Sequence, residues 1–227
     1  MSKDTTNYTK RELAGIIATY TERAQELGDR INGYAKAEYD AQTAAETAEA
    51  GELRHRNEIE RRAVVNALEN AVSRYALMCM QEESKRYEGK KCHYKAVTKA
   101  LEAACSGLGD VRVYGCTPEY GRQYVTVYLD GTARTVDGEE YPCTICRASV
   151  WSGAKTIKAD ELAVATDKPV PTLEEIAGAA EAYGSVYSEL EDLRDEYRKR
   201  RNAITAALSA LDYEDVSGMR GAWEVTC

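Results

Sequence analysis

The sequence lacks the long apolar stretches and export signals that mark membrane and secreted proteins. No run approaches the roughly 18 apolar residues that a membrane-spanning helix needs, and the first residues hold no apolar core of a signal peptide. The seven cysteines are an odd number, which without an export signal favours thiols over a disulfide framework. We therefore expect a cytoplasmic protein.

Groups that support catalysis or broad nucleic-acid binding are also scarce. The formal net charge is -8, whereas a protein that binds duplex nucleic acid over its whole surface is usually basic. The two histidines, His55 and His93, have no neighbouring cluster, and Gly107-Leu108-Gly109 is too short for a dinucleotide-binding motif. Phenylalanine is absent, whereas the 16 tyrosines suit half-buried surfaces and interfaces. We expect neither an enzyme nor a cofactor.

Apolar residues at steps of three and four predict two long helices in the first part of the chain. The first should begin near Thr9 and run to about Ala50, with the chain reversing at Gly51. The second should run from about Leu53 to Tyr87. A helix of about 40 residues is longer than an ordinary globular helix, which favours a stalk.

A third long helix is predicted after Pro171, with Thr172 as its N-cap. Its seam alternates at steps of three and four, which is typical of coiled coils, and two arginines interrupt it. The seam positions are Leu173, Ile176, Ala180, Tyr183, Tyr187, Leu190, Arg194, Tyr197, Arg201, Ile204, Leu208 and Leu211.

Residues 89–170 differ in kind from the helical arms. Asp130-Gly131 and Asp137-Gly138 are turn dipeptides, which favour antiparallel strand pairing. A further short helix could follow over Ile157 to Ala165. The predicted elements before it are a helix, His93 to Cys105, and strands Asp110 to Cys116, Arg122 to Leu129 and Glu140 to Trp151.

The predicted fold class is α+β, with a small α-β-β-β insert between the second and third long helices. The three helices are similar in length, so the economical arrangement is an antiparallel, coiled-coil-like three-helix bundle. The predicted domains are the helical hairpin at 1–88, the insert at 89–170, and the third helix with the tail at 171–227.

Three cysteines of the insert are weak candidates for a zinc site: Cys116, Cys143 and Cys146. Zinc-binding CxxC pairs usually lie on a tight turn, whereas Cys143 and Cys146 lie in a predicted strand. Residues three apart on a strand point to opposite faces. Buried thiols are therefore the favoured interpretation, and we expect no metal.

The second strand of the insert carries the residues that we expect to contact a partner: Arg122, Tyr124 and Tyr128. Arginine and tyrosine interleaved on a sheet can also hold phosphates and stack bases. The order of elements resembles the topology of double-stranded RNA-binding domains, and 152–158 is similar to the lysine-rich start of their second helix, although two acidic residues follow. That resemblance implies RNA binding, but the insert is nearly neutral.

The third helix has an acidic stretch in which Glu191, Asp192 and Asp195 are the expected contact residues. An ordinary solvated helix face is the alternative interpretation. Together these features predict a protein-binding module, an adaptor or inhibitor of a larger complex. A narrower hypothesis is an antagonist of a nucleic-acid-processing complex, encoded by a virus or mobile element. The alternatives are nucleic-acid binding through the insert and a structural, self-assembling coiled coil.

Overall fold

The computed structural model describes residues 7–85, 94–119, 122–152, 162–164 and 169–209. They form helices and one four-stranded antiparallel sheet, which confirms the α+β class. The chain divides into two compact units, Met1–Glu181 and Ala182–Cys227. The elements in chain order are α1 Lys10–Asp40, α2 Ala44–Lys85, α3 Tyr94–Cys105, a 3-10 helix Ser106–Leu108, β1 Asp110–Glu119, β2 Arg122–Arg134, β3 Glu140–Ser152, β4 Leu162–Val164 and α4 Leu173–Ser209.

The first two helices begin at capping boxes, in which a threonine and a glutamate three residues later cap each other's backbone N–H groups. Thr9 and Glu12 form one at the predicted start of α1. At the start of α2, the Glu46 N–H donates to Thr43 Oγ1 at 3.2 Å and the Thr43 N–H donates to Glu46 Oε2 at 3.0 Å. The predicted reversal at Gly51 is therefore wrong. The chain reverses before Thr43, and α2 includes Gly51 because one interior glycine costs a helix only about 1 kcal/mol.

Helices α1 and α2 form an antiparallel hairpin. The buried residues of α1 recur at steps of three and four, as the sequence predicted. Three ion pairs join the two helices, and their partners on α2 come earlier in the sequence as the residues on α1 come later. This order shows that the helices are antiparallel. The buried side chains of α1 are Leu13, Ile17, Tyr20, Ala24 and Leu27. The ion pairs are Lys10–Glu82 at 2.7 Å, Arg23–Glu60 at 2.5 Å and Glu38–Arg54 at 2.6 Å.

The sheet has the order β1-β2-β3-β4, and each neighbouring pair is antiparallel. Strand β2 continues through Asp130-Gly131, so the turn predicted at this dipeptide is wrong. The dipeptide stays in the strand because β3 provides it with pairing partners, and Gly131 lies opposite Cys143. The other predicted turn, Asp137-Gly138, does lie between β2 and β3, and Gly138 adopts a left-handed φ of 87° that suits glycine.

The predicted helix over Ile157 to Ala165 is wrong at its described end, where Leu162–Val164 forms strand β4. This strand pairs with the end of β3, and Val164 lies opposite Val150. Backbone hydrogen bonds to an available sheet edge decide such a short segment more strongly than its own helix propensity. The likeness in topology to double-stranded RNA-binding domains therefore fails at the position of their second helix.

The hairpin and the sheet share one hydrophobic core, which contains Leu68 of α2, Leu101 of α3 and Val127 of β2. The segment before α4 joins the same unit, because the Tyr20 hydroxyl donates to the Pro171 carbonyl at 2.5 Å. Two elements that the sequence treats as separate regions therefore bury their apolar faces against each other.

Thr172 caps helix α4, as predicted: the Glu175 N–H donates to Thr172 Oγ1 at 3.1 Å and the Thr172 N–H donates to Glu175 Oε2 at 2.9 Å. Ile176 and Ala180 are buried in the first unit. In the second unit, the large apolar side chains of α4 are exposed by 43% to 61% of their surface. They are Tyr183, Val186, Leu190, Leu193, Tyr197 and Ile204.

Candidate functional site

The outer face of the sheet carries a cluster of aromatic and charged side chains on three adjacent strands. Side chains alternate along a strand, and the core takes Val111 and Val113 of β1 and Val127 and Leu129 of β2. The intervening positions are therefore left on the other face. We call the following six residues the Tyr/Arg face: Arg112 and Tyr114 of β1, Tyr128 and Asp130 of β2, and Thr144 and Arg147 of β3.

A two-point ion pair between Arg112 and Asp130 lies at the centre of the Tyr/Arg face. Arg112 Nη2 lies 2.8 Å from Asp130 Oδ1, and Arg112 Nε donates to Asp130 Oδ2. The Thr144 hydroxyl donates to Asp130 Oδ1 at 2.8 Å. The Arg112 guanidinium, with help from Thr144, lowers the pKa of the Asp130 carboxyl from its ordinary 3.8. Two parallel hydrogen bonds hold the guanidinium in one plane.

Two tyrosine rings pack against this guanidinium. Tyr114 and Tyr128 meet edge to face, with ring centroids 5.4 Å apart and an interplanar angle of 86°. The Arg112 Cζ lies 5.2 Å from the Tyr128 centroid and 5.9 Å from that of Tyr114. Arg147 Cζ lies 5.9 Å from the Tyr128 centroid. These contacts are within the range of cation–π attraction, while Tyr114 stays 57% exposed.

The predicted contact residues are distributed between the sheet and α4. Tyr128 lies at the centre of the Tyr/Arg face, whereas the side chains of Arg122 and Tyr124 are outside the described part of β2. Asp192 and Asp195 are exposed on α4, and Asp195 accepts a hydrogen bond from Arg198 at 2.9 Å. The predicted side chain of Glu191 is also outside the described part.

Of the six residues of the Tyr/Arg face, only Tyr128 is predicted from the sequence as a contact residue. The Asp130-Gly131 dipeptide predicts a turn, and the sequence alone does not show the register of β3. Thr144 and Arg147 are three residues apart, so a regular strand would place their side chains on opposite faces. Strand β3 instead has one extra residue between the partners of Leu129 and Asp130. Only the pairing of the strands shows that both side chains reach one face.

The same bulge changes the interpretation of the CxxC pair. Cys146 is buried opposite Leu129, and Cys143 is half-buried and packs against the same core. The expectation that the two thiols point to opposite faces is wrong, because the extra residue shifts the alternation by one. Burial raises the pKa of Cys146 to about 12. Within the described residues, no three His, Cys, Asp or Glu side chains are grouped as a metal site requires, and the side chain of Cys116 lies outside that part.

A second cluster of polar groups lies where α1, α2 and α3 meet. Lys10 donates to Glu82 at 2.7 Å and lies 5.6 Å from the Tyr75 ring centroid. A hydrogen bond from the Cys105 thiol, together with the charge of Lys10, lowers the pKa of Cys79 from 9.0 to about 7 against the effect of burial. The hydrogen bond and burial raise the pKa of Cys105. The hydrogen bond and the nearby ammonium group therefore favour the thiolate form of Cys79.

A cleft of about 170 Å³ lies between α1 and the ends of β2 and β3. Gln25, Asn32, Tyr141 and Cys143 contribute to its lining, and the Asn32 amide donates to the Arg134 carbonyl across it. Typical small-molecule pockets have volumes of roughly 300 Å³ or more. We therefore assign this cleft no ligand.

Comparison of the chain with protein-family models, with curated proteins and with solved structures finds no match. In the described part of the chain, no helix combines the length and the apolar character that crossing a membrane requires. The Tyr/Arg face is thus the best-defined candidate site.

Proposed function

We propose that this protein is a non-enzymatic protein-binding module, an adaptor or inhibitor of a larger complex in the cytoplasm, with the Tyr/Arg face as its recognition surface. The observation that carries the proposal is the edge-to-face packing of Tyr114 against Tyr128, beside an arginine that is itself held by Asp130. Tyrosine and arginine dominate the energetics of protein interfaces.

Preorganisation supports the proposal further. An interface that must immobilise a side chain on binding loses about 0.5–1.5 kcal/mol for each one. Here hydrogen bonds to Asp130 and Thr144 already fix the position of the Arg112 guanidinium, and both tyrosines lie on paired strands. A partner surface would therefore meet rings that are largely ordered in advance.

The charge of the face indicates the kind of partner surface that fits. Asp130 offsets the charge of Arg112, so Arg147 leaves the Tyr/Arg face with one net positive charge. An apolar surface with an acidic side chain near Arg147 would complement it. Asp192 and Asp195 on α4 are the second proposed contact region, and their charge suits a basic partner surface. A virus- or element-encoded antagonist of a nucleic-acid-processing complex is the narrower form of this proposal.

The scaffold in this proposal is the α1–α2 hairpin with the beginning of α4. The antiparallel three-helix bundle stays a prediction. Burial of Ile176 and the hydrogen bond from Tyr20 to Pro171 support it for the first turns of α4.

Nucleic-acid binding is the second candidate function. Exposed Tyr114 beside the Arg112 guanidinium could stack a base. The Asp130 carboxylate at the centre of the face opposes this use, because it repels a phosphate and already occupies Arg112.

Affinity capture from the lysate of the native host, with and without nuclease treatment, tests the proposal. The variant Tyr114→Ala with Arg147→Ala should lose a partner protein that the wild type retains after nuclease treatment. Tyr39→Ala with Arg134→Ala is the matched control, since Tyr39 is 90% exposed on α1 and Arg134 lies at the end of β2. Equal capture by both variants would contradict the proposal, and nuclease-sensitive capture that needs Tyr114 would favour nucleic acid.

A further inference from the structure

The exposed apolar side chains of α4 form a stripe with a coiled-coil period. Tyr183, Val186, Leu190, Leu193 and Tyr197 follow one another at steps of three and four. Ile204 continues the stripe one heptad after Tyr197. This stripe is not the predicted seam, which alternated Leu190 and Tyr197 with Tyr187 and Arg194.

The exposed stripe defines a heptad for α4. Its a positions are Tyr183, Leu190, Tyr197 and Ile204, and its d positions are Val186, Leu193, Arg200 and Ala207. From Tyr183 to Ala207 the stripe covers about 36 Å of helix. In this heptad Arg200 is the single charged core position, and its guanidinium lies 2.5 Å from the Glu196 carboxylate. One polar core position commonly specifies the register of a coiled coil.

The new heptad also explains the two arginines that interrupted the predicted seam. Arg194 and Arg201 move to e positions, and Glu189 and Glu196 take the g positions. In a parallel two-stranded coiled coil, each g residue lies beside the next e residue of the other strand. Glu189 would face Arg194 of a second copy, and Glu196 would face Arg201.

Charge selects both the partner and the orientation. In an antiparallel pair, g positions lie beside g positions and e positions beside e positions. Glutamates would then face glutamates, and arginines would face arginines. A parallel pair of identical helices instead gives four pairs of opposite charge. The stripe therefore complements a second copy of itself in one orientation.

We propose that α4 pairs with α4 of a second copy over Tyr183–Ala207 as a parallel two-stranded coiled coil. Burial of the a and d side chains drives the association, and the Glu–Arg flanks specify it. Asp192 and Asp195 take c and f positions of this heptad, away from the interface, so they stay available to another partner. The dimer would carry two Tyr/Arg faces, and this inference does not depend on the function proposed for them.

The oligomeric state of the full chain tests the proposal. Light scattering after size-exclusion chromatography, over a roughly hundredfold range of concentration, should give a dimer that dissociates on dilution. Leu190→Glu with Leu193→Glu should give a monomer with unchanged helix content, because both side chains are exposed in the single chain. A wild-type protein that is monomeric at every concentration overturns the proposal, and so does a dimer that survives both substitutions.

Charge reversal tests the orientation. Glu189→Lys with Glu196→Lys should raise the dissociation constant at least roughly tenfold, and so should Arg194→Glu with Arg201→Glu. Mixed together, the two variants should form a one-to-one heterodimer. Asp192→Lys with Asp195→Lys is the matched control, which makes the same change of charge on the outer side of the helix and should leave dimerisation intact. Failure of the two variants to pair with each other, or equal loss in the control, overturns the parallel arrangement.

Discussion

Arg23 of α1 and Glu60 of α2 form an ion pair inside the helical hairpin, with Nε and Nη2 of the guanidinium 3.0 and 2.5 Å from the same carboxylate oxygen. Their side chains are only 22% and 10% exposed. Because both donors bind the same oxygen, the contact fixes the position of α1 along the axis of α2. Arg23 Nη1 also lies 2.7 Å from the more exposed Glu26, so Glu60 is the more buried of the two carboxylates that pair with Arg23.

Glu60→Gln should destabilise the hairpin by removing the more buried of the two carboxylates that pair with Arg23. We expect the free energy of unfolding to fall by about 1–3 kcal/mol, since a partly buried donor loses one of its charged acceptors. Denaturant unfolding followed by circular dichroism measures this. Glu82→Gln is the control, because the Lys10–Glu82 pair is more exposed and exposed pairs contribute less than about 1 kcal/mol. Equal effects of the two substitutions would show that burial does not strengthen the Arg23 pair.

Asp130→Asn should loosen the Tyr/Arg face without unfolding the protein. The pKa of Asp130 is lower in the folded protein than its ordinary 3.8. Its contribution to stability is therefore complete above that ordinary value and is lost as the pH falls through the folded value. The difference between wild type and Asp130→Asn, about 1 kcal/mol at neutral pH, should disappear in acid. Glu140→Gln, at a surface pair with Arg134, is the control, and a difference that persists in acid would refute the assignment.

Gly131→Ala should strain the contact between α1 and the sheet. A Cβ at this position would lie 2.5 Å from Gln25 Nε2 and would also collide with the Ile145 side chain. Overpacking of this kind costs about 1–3 kcal/mol, and thermal unfolding would report it as a lower Tm. In contrast, Gly33→Ala meets nothing within 4 Å and should stabilise α1 by about 0.5–1 kcal/mol. A neutral Gly131→Ala would mean that Ile145 and Gln25 move aside easily.

Cys79 should titrate near neutral pH. Its pKa is lowered from 9.0 to about 7 by the hydrogen bond from Cys105 and by Lys10. A group with a depressed folded pKa stabilises the protein above its unfolded value, and this contribution is lost as the pH falls through about 7. Ultraviolet thiolate absorbance should show one thiol titrating near that pH.

Cys105→Ala and Lys10→Met should each raise the midpoint of Cys79, because each removes a group that stabilises its thiolate. Cys143→Ala, at a thiol that lies in the sheet, should leave the midpoint unchanged. Persistence of the low midpoint in Cys79→Ser would assign the titration to a different thiol.

Local sequence patterns are sufficient to predict where α1 and α4 begin and which faces of α1 and β2 are buried. Thr9 and Thr172 cap their helices through residues three positions away, and Val125, Val127 and Leu129 alternate with polar neighbours. These features depend on short-range contacts, which the order of residues shows directly. Thr43 and Glu46 form the same local signal, but Gly51 is the more conspicuous helix breaker in the sequence and predicts the reversal at the wrong place.

The register of the strands, by contrast, depends on contacts between residues far apart in the chain, and the folded structure alone shows it. The bulge in β3 places Asp130, Thr144 and Arg147 on one face, and its position depends on pairing between strands. On α4, the seam through Arg194 and the stripe through Leu193 both have steps of three and four, so periodicity cannot choose between them. Leu193 and Arg194 are both exposed in the single chain, so the choice between the two lines depends on the charges that would flank each of them in a helix pair.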